Sequence, residues 1–364
     1  MNTHYSSEPM QILMMPDYRH DNPYQTLLSM ALETENVKVH FPSGYRRVFP
    51  IFRAIRAYSG SIKVLHLHWL DPYLKGDNSS IKLFYCLKFL LDILLTRWTG
   101  VRIIWTIHNA ISHNSKFPRI ELWTGRVLVK IVDRVIVHNH VARDEIVPLY
   151  RLNPAKIAII PHGHYRNIYH QEIAKSEARQ QLGLPESNKI YLNFGMLKPY
   201  KGIERLLKLW QEHQNILEGN SLLVAGKALD DVYGQMLTKQ ASEIENVVLH
   251  NKFVADEQIH LYFSAADIVV LPFERILTSG SLILAMSYGK PVIAPRLASI
   301  PETLGVADWL LYDPDDERGL LHAIKDSTQV DLNALGRLVS ESCHRLDWSA
   351  IAQQTILVYQ NNLT

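Results

Sequence analysis

The sequence predicts an α/β protein of two doubly wound domains, each built on a parallel sheet, and three observations predict it. Short apolar runs rich in β-branched residues alternate with longer helical patterns from end to end, the pattern of parallel strands joined by crossover helices. Many of these runs are apolar on both faces, as strands covered by helices on each side must be. The chain has 364 residues, too many for one ordinary core and suited to two domains of roughly 150 to 200 residues each.

The strands read in order as KVLHLHW, RIIWTIH, DRVIVHN and KIAIIPH, then KIYLNFG, SLLVAG, NVVLHNKF, DIVVLPF, PVIAP and WLLYD. The unit changes between Pro161 and Asn188, where the polar helical stretch EIAKSEARQQLGLPESNK separates the two series. The expected division is an N-terminal domain at 1–165, a second domain at 166–346, and a C-terminal helix at 347–364 that returns to the first domain. That helix, from Asp347 to Asn362, takes its cap from Asp347 or Ser349. No short repeat is visible, which argues against a solenoid or propeller. Open α/β sheets bind ligands beyond the carboxyl ends of their strands, so the residues just after these runs, facing a cleft between the domains, are the ones to examine.

Bulk composition excludes several classes. A formal charge of +2, from 38 basic and 36 acidic residues, provides no overall field for nucleic acid. Cys86 and Cys343 are the only cysteines, without metal-ligand spacing, and fit inert thiols in a reducing cytoplasm. The N-terminus lacks the basic and apolar regions of a signal peptide, so a cytoplasmic location is expected. The segment Ile81–Gly100, IKLFYCLKFLLDILLTRWTG, is interrupted by Lys82, Lys88, Asp92 and Arg97, which argues against a span. It reads as a helix, packed in the core in the first reading and lying on a lipid surface in the second.

Two turns in the second half suit anions. In FGMLKPYKG a strand ends at Gly195 and a helix begins near Gly202. Gly195 allows close backbone approach, and Lys198 and Lys201 place two cations beside a helix N-terminus. In ILTSGSLILAMSYGKPVIAP, Thr278, Ser279, Gly280 and Ser281 cap a helix whose amides and positive dipole end face the site. Glu274, just after the strand DIVVLPF, could accept hydrogen bonds from sugar or ribose hydroxyls; it could equally be a surface residue.

Histidines crowd the first half: His66, His68, His108, His113, His138, His140, His162 and His164. Several fall at strand ends, so a cluster is conceivable. With no HExxH or Cys-His spacing, a metal site is the less favoured reading. Hydrogen bonding to sugar and phosphate is preferred for His108, and structural roles for the rest. No G-x-S-x-G, Walker A or G-x-G-x-x-G sequence appears in its required context, which weakens hydrolase, NTPase and dinucleotide-binding readings.

Taken together, FGMLKPYKG, LLVAGK, YFSAADIVVLPFERILTSGSLILAMSYGKPVIAP and the terminal WSAIA helix resemble the donor domain of GT-B glycosyltransferases close to glycosyltransferase family 4, group 1. The match in order and spacing runs along the second half. In the first half DNPYQ, HLHW, WTIHN, VHN and IPHGHY resemble the subset that builds bacterial exopolysaccharides. The resemblance implies two Rossmann-like domains facing across a cleft. It also implies transfer of a hexose from a nucleoside-diphosphate sugar to a saccharide acceptor, lipid-linked in one reading, in cell-surface polysaccharide synthesis, with peripheral contact with an anionic membrane. Gly195, Lys198, Lys201 and Thr278 to Ser281 would hold the donor diphosphate, Glu274 the donor sugar or ribose, and Asn251, Lys252 and Phe253 the base.

Two departures from the family pattern stand out. Met196 replaces the usual arginine after the glycine, and Ile276 and Leu284 stand where two glutamates are common. Without those carboxylates the stereochemical outcome stays open; an inverting course would need a base, for which Asp17, His20, Asp21 and His108 are candidates, Asp21 and His108 first. No metal or other cofactor is expected, because lysines and helix N-termini can neutralise a leaving diphosphate. A GT-B epimerase and a non-catalytic nucleotide-sugar-binding partner of a membrane assembly are the alternatives.

Overall fold

The computed structural model describes residues 8–20, 22–42, 48–58, 60–108, 116–169, 173–276 and 278–360. In chain order the elements are β1 Met10–Met15, α1 Pro23–Thr34, β2 Val37–His40, α2 Pro50–Ala57, β3 Ile62–Leu67, α3 Ser79–Trp98, β4 Arg102–Thr106, α4 Pro118–Ile131, β5 Arg134–Val137, α5 His140–Tyr150 and β6 Ile157–Ile159. They continue with α6 Arg166–Tyr169, α7 Lys175–Leu182, β7 Lys189–Phe194, α8 Ile203–Glu212, β8 Asn220–Ala225, α9 Asp231–Ser242, β9 Val247–His250, α10 Ile259–Ala265, β10 Ile268–Val270 and α11 Gly280–Ser287. The last are β11 Val292–Pro295, α12 Ile300–Leu304, β12 Leu311–Tyr312, α13 Gly319–Asp326, α14 Leu332–His344 and α15 Trp348–Gln360.

The chain divides into two compact units, one of residues 1–163 with 347–364, the other of 164–346. The first holds a six-stranded sheet in the order β2-β1-β3-β4-β5-β6, the second one in the order β12-β11-β10-β7-β8-β9. All pairings are parallel. The central strands are buried along almost their whole length, β8 at every position, which is why they read as continuous apolar runs rather than alternating ones. All six strands of the second unit coincide with runs singled out in the sequence. In the first unit β1 and β2 escaped notice, because MQILMM contains a single β-branched residue and VKVH is only four residues long.

Within the first unit α15 packs on α1. Asp347 is its cap, its carboxylate accepting from the Ser349 amide at 2.8 Å. The predicted end of this helix, Asn362, lies outside the described residues. Gly163 lies flat against Trp348, whose ring would come within 2.2 Å of any Cβ placed there.

The segment Ile81–Gly100 falls on α3, which ends at Trp98, and one face of the helix is packed in the core, as the first reading expects. Its inner face carries Cys86, Phe89, Leu90 and Ile93, and two of the four charges that interrupt the apolar run, Lys82 and Asp92, also turn inward. Lys82 pairs with Glu121 and donates to the Leu74 carbonyl at 2.5 Å; Asp92 accepts from the Ile51 and Phe52 amides at 3.0 and 2.8 Å. Buried charges so partnered do not oppose folding as isolated ones would. Among the described residues no helix is long and apolar enough to cross a membrane.

Candidate functional site

In the second unit the chain runs from β7 outward through β8 and β9, then returns to add β10, β11 and β12 on the other side of β7. The direction reverses between β7 and β10, and a ligand crevice opens beyond the carboxyl ends of strands at such a reversal. β7 ends at Phe194, and Gly195 follows with φ of 109°, a region in which a side chain is strained. The loop then presses onto the end of β8. The Leu197 amide donates to the Lys227 carbonyl at 2.8 Å, and a Cβ at Gly226 would sit 2.1 Å from the Gly195 carbonyl oxygen.

From Lys198 the chain makes a short 3-10 turn, Pro199–Lys201, which folds the Lys201 side chain back under the glycine. A Cβ on Gly195 would lie 3.1 Å from Lys201 Nζ and 3.0 Å from Ser281 Oγ. Lys201 Nζ itself stands 3.5 Å from Ser281 Oγ. Lys201 is only 9% exposed and forms no ion pair among the described residues. Burial, and then the neighbouring charge of Lys198, pushes its pKa down to about 8. A buried ammonium with one weak neutral partner is costly to keep, and such groups concentrate where an anion is to be received.

The rest of the predicted diphosphate group converges on the same place. Ser279 Oγ caps α11 by accepting from the Leu282 amide at 3.1 Å. This hydroxyl therefore serves the helix, while the other first-turn amides, which have no partner within the helix, remain for a ligand. Thr278 and Ser281 are half-buried and Gly280 is exposed. Glu274 is exposed too, and its amide donates to the Tyr200 carbonyl at 2.9 Å, which fastens the loop after β10 to the Lys198–Lys201 turn. Asn251, Lys252 and Phe253 follow β9, two strands from β7. Asn251 Oδ1 accepts from the Ala228 amide at 3.0 Å, a role in holding the loop after β8, and Phe253 leaves 73% of its surface in solvent.

The first unit gathers a different chemistry at its strand ends. His68, His108, His138 and His162 follow β3, β4, β5 and β6, which are neighbours in the sheet. His68 Nδ1 lies 3.1 Å from His108 Nε2, His108 Nδ1 lies 3.2 Å from His138 Nε2, and His138 Nδ1 lies 3.0 Å from the Ile160 carbonyl. The carbonyl can only accept, so His138 carries its proton on Nδ1. Neutral rings then force Nδ1–H on His108 and His68 in turn. The chain ends at His68 Nε2, a buried acceptor without a partner among the described residues. Burial keeps these rings neutral: it lowers the pKa of His138 to about 4 and of His162 to about 3, and those of His68 and His108 well below the ordinary range.

His108 thus has both ring nitrogens engaged and stacks on Trp69 with ring centroids 4.2 Å apart; any proton it handles passes through its neighbours. His66 is tied to the Tyr359 hydroxyl and to Thr106 Oγ1, both at 2.7 Å, the structural role expected of it. Asp17 is held by Arg19 at 2.9 Å, which keeps its carboxyl below the usual range, and His20 is exposed. Asp21 and His113 lie outside the described residues. Tyr24 escaped the sequence reading, although it stands among the rings of His108, His138 and His162 at 4.8 to 5.6 Å; it sits inside the motif DNPYQ, the only signal it offered. Among the described residues no three His, Cys, Asp or Glu side chains form a group that could hold a metal ion.

Residues 37–164 match a family model described as Glycosyltransferase Family 4, and residues 188–329 one described as Glycosyl transferases group 1. A GDP-mannose:glycolipid 4-beta-D-mannosyltransferase of Xanthomonas campestris is 26% identical over 336 residues, covering 91% of this chain and 86% of that one. A D-inositol 3-phosphate glycosyltransferase of Segniliparus rotundus is 26% identical over 242 residues, 64% of this chain and 53% of that one. Among solved structures, Anabaena HepE in complex with UDP and glucose superposes with a TM-score of 0.70 at 18% identity, covering 97% and 100% of the two chains. Sucrose-phosphate synthase from Thermosynechococcus elongatus does so with 0.70 at 20%, covering 98% and 96%. At such identities the superpositions speak for the fold.

Proposed function

We propose, from the premise that the chain is a glycosyltransferase of GT-B fold whose two halves match the family 4 and group 1 models, that it moves a hexose from a nucleoside-diphosphate sugar onto a lipid-linked saccharide. The observation that carries this reading is the buried Lys201 ammonium, set beside Gly195 and Ser281 with no carboxylate to neutralise it among the described residues.

As the bond to the anomeric carbon breaks, charge accumulates on the leaving diphosphate. Lys201, Lys198 and the first-turn amides of α11 are fixed in advance where that charge develops, and such preorganised donors stabilise a transition state without reorganising. They supply positive charge from the chain itself, so the reaction is proposed to need no metal ion. Glu274 is assigned to the sugar or ribose hydroxyls and Phe253, with Asn251 and Lys252, to the base. His108 and Asp21 are assigned to the acceptor side. The glycolipid named for the Xanthomonas campestris relative supports a lipid-linked acceptor, and with it a place in cell-surface polysaccharide synthesis at the cytoplasmic face of a membrane. Nucleic acid has no part in it.

The test is calorimetric titration with nucleoside diphosphates, followed by turnover of GDP-mannose and UDP-glucose with lipid-linked acceptors in the presence of a chelator. Selective binding of one nucleoside diphosphate and chelator-resistant transfer are expected. No binding at millimolar ligand and no turnover of any donor would end the reading.

A further inference from the structure

The outer face of α3 is left bare. Phe84, Leu87, Leu91, Leu94 and Trp98 are 39 to 79% exposed, and their spacing of three, four, three and four residues sets them in one line along a helix of 20 residues, roughly 30 Å long. Trp123, on the adjoining α4, is 42% exposed as well. Water has no favourable contact to offer such a stripe, and contiguous apolar surface of this kind marks an interaction site.

Charge identifies the occupant. The only carboxylate on α3 belongs to Asp92, which is turned inward onto the Ile51 and Phe52 amides. Beside the stripe opens a pocket of about 210 Å³ lined by Lys75, Lys88, Tyr73, Tyr85, Phe89 and Asp92, the last with its carboxylate oxygens taken up by the Ile51 and Phe52 amides. Neither lysine forms an ion pair among the described residues. A second copy of the chain would bring the same basic margin against itself across a twofold axis, with no acidic residue of α3 to meet it. A surface with apolar chains below and phosphates above matches both features at once.

We propose that α3 lies in the surface of an anionic membrane, its apolar line among the acyl chains and Lys75 and Lys88 on a lipid phosphate. The idea rests on the lipid-linked acceptor proposed above, since an enzyme serving such an acceptor must meet the lipid surface. It also assigns that meeting to named residues away from the donor turns.

The experiment is flotation of the full chain with vesicles of phosphatidylcholine alone and of phosphatidylcholine with phosphatidylglycerol. Capture by the anionic vesicles, weakened by salt, is expected. L87E/L91E, at exposed positions and with the fold checked by circular dichroism, should reduce capture at least tenfold. K75Q/K88Q should reduce it roughly fivefold per lysine. Protein that stays in the soluble fraction with both vesicles, or capture indifferent to both double variants, overturns the proposal. So does a concentration-dependent dimer in sedimentation that L87E/L91E splits while vesicles capture nothing. Nucleoside diphosphate titration of the same preparation separates the two claims: a protein that binds the nucleotide and ignores vesicles keeps its donor site and loses this surface.

Discussion

The two units place their chemistry at the same point of nearly the same topology and furnish it in opposite ways. Each sheet reverses direction beside its first strand, with one strand beyond it in the first unit and two in the second. At the reversal in the second unit stands a buried ammonium without a counter-ion among the described residues; along the strand ends of the first run neutral imidazoles in one hydrogen-bonded line. A cation left unpaired is poised for an anion that arrives from outside. Rings that satisfy one another are poised to orient hydroxyls and to pass a proton. The comparison teaches that topology locates a site, while the few polar side chains at the strand ends decide what it receives.

The strongest way to break this contrast is at Gly195. Gly195→Ala adds a methyl group 3.0 to 3.1 Å from Ser281 Oγ and Lys201 Nζ, at a φ of 109°. Nucleoside diphosphate affinity, read by calorimetry, should fall ~10³-fold, because the anion seat is filled and the turn strained. Lys201→Met should weaken that affinity by about 10²-fold, the loss of one charge-assisted contact. The same variant should melt at the same temperature or higher, because a buried unpaired charge has gone. A clear drop in melting temperature would show that Lys201 serves the fold rather than a ligand.

In the first unit, His108→Ala should lower kcat about 10²-fold, the range for positioned proton transfer, with nucleoside diphosphate affinity within about twofold of the parent. An equal loss of both would erase the division of labour between the units.

Acid and base should separate the units too. His66 and His162, with pKa lowered to about 3, and His138, to about 4, all mainly by burial, stay neutral in the fold while the unfolded chain takes up protons below about 6.5. The unfolded state then holds more protons, so the stability of the first unit falls as pH drops from about 6.5 toward 4. The slope is about 1.4 kcal/mol per pH unit for each histidine. Lys201 and Lys290, lowered to about 8 by burial, act in the window from about 8 to 10.5, where the unfolded chain alone keeps the proton; stability of the second unit rises there. Diphosphate affinity falls over the same rise, as Lys201 loses its charge. Hydrogen exchange read unit by unit across pH checks both signs.

The smallest expected effect is at Phe253. Phe253→Ala, at a side chain already 73% exposed, should leave stability unchanged and reduce discrimination between bases only a few-fold, as the loss of one stacking contact would.

The local parts were legible. The six strands of the second unit announced themselves as β-branched apolar runs. Gly195 and Lys201 announced by type and spacing the tight turn that follows β7, and Ser279 a helix cap. The first two strands were not legible, being Met-rich or too short to register. Nor was the outer line of α3. The 20 residues read as a helix, yet Lys82 and Asp92 looked like breaks in an apolar surface until their partners 8 to 41 positions away drew them inside.

By itself the sequence determined what depends on neighbours along the chain: which segments are strands and which helices, β1 and β2 apart, where a glycine permits a turn, which side chains carry charge. Only the tertiary structure decided which of them meet. Ser281 reaches Lys201 across 80 residues. His68, His108 and His138 form one line because β3, β4 and β5 lie side by side. The physical reason is the same in both cases: periodicity and propensity act over a few residues, whereas strand order is set by packing the whole chain, and it is strand order that brings the strand ends together.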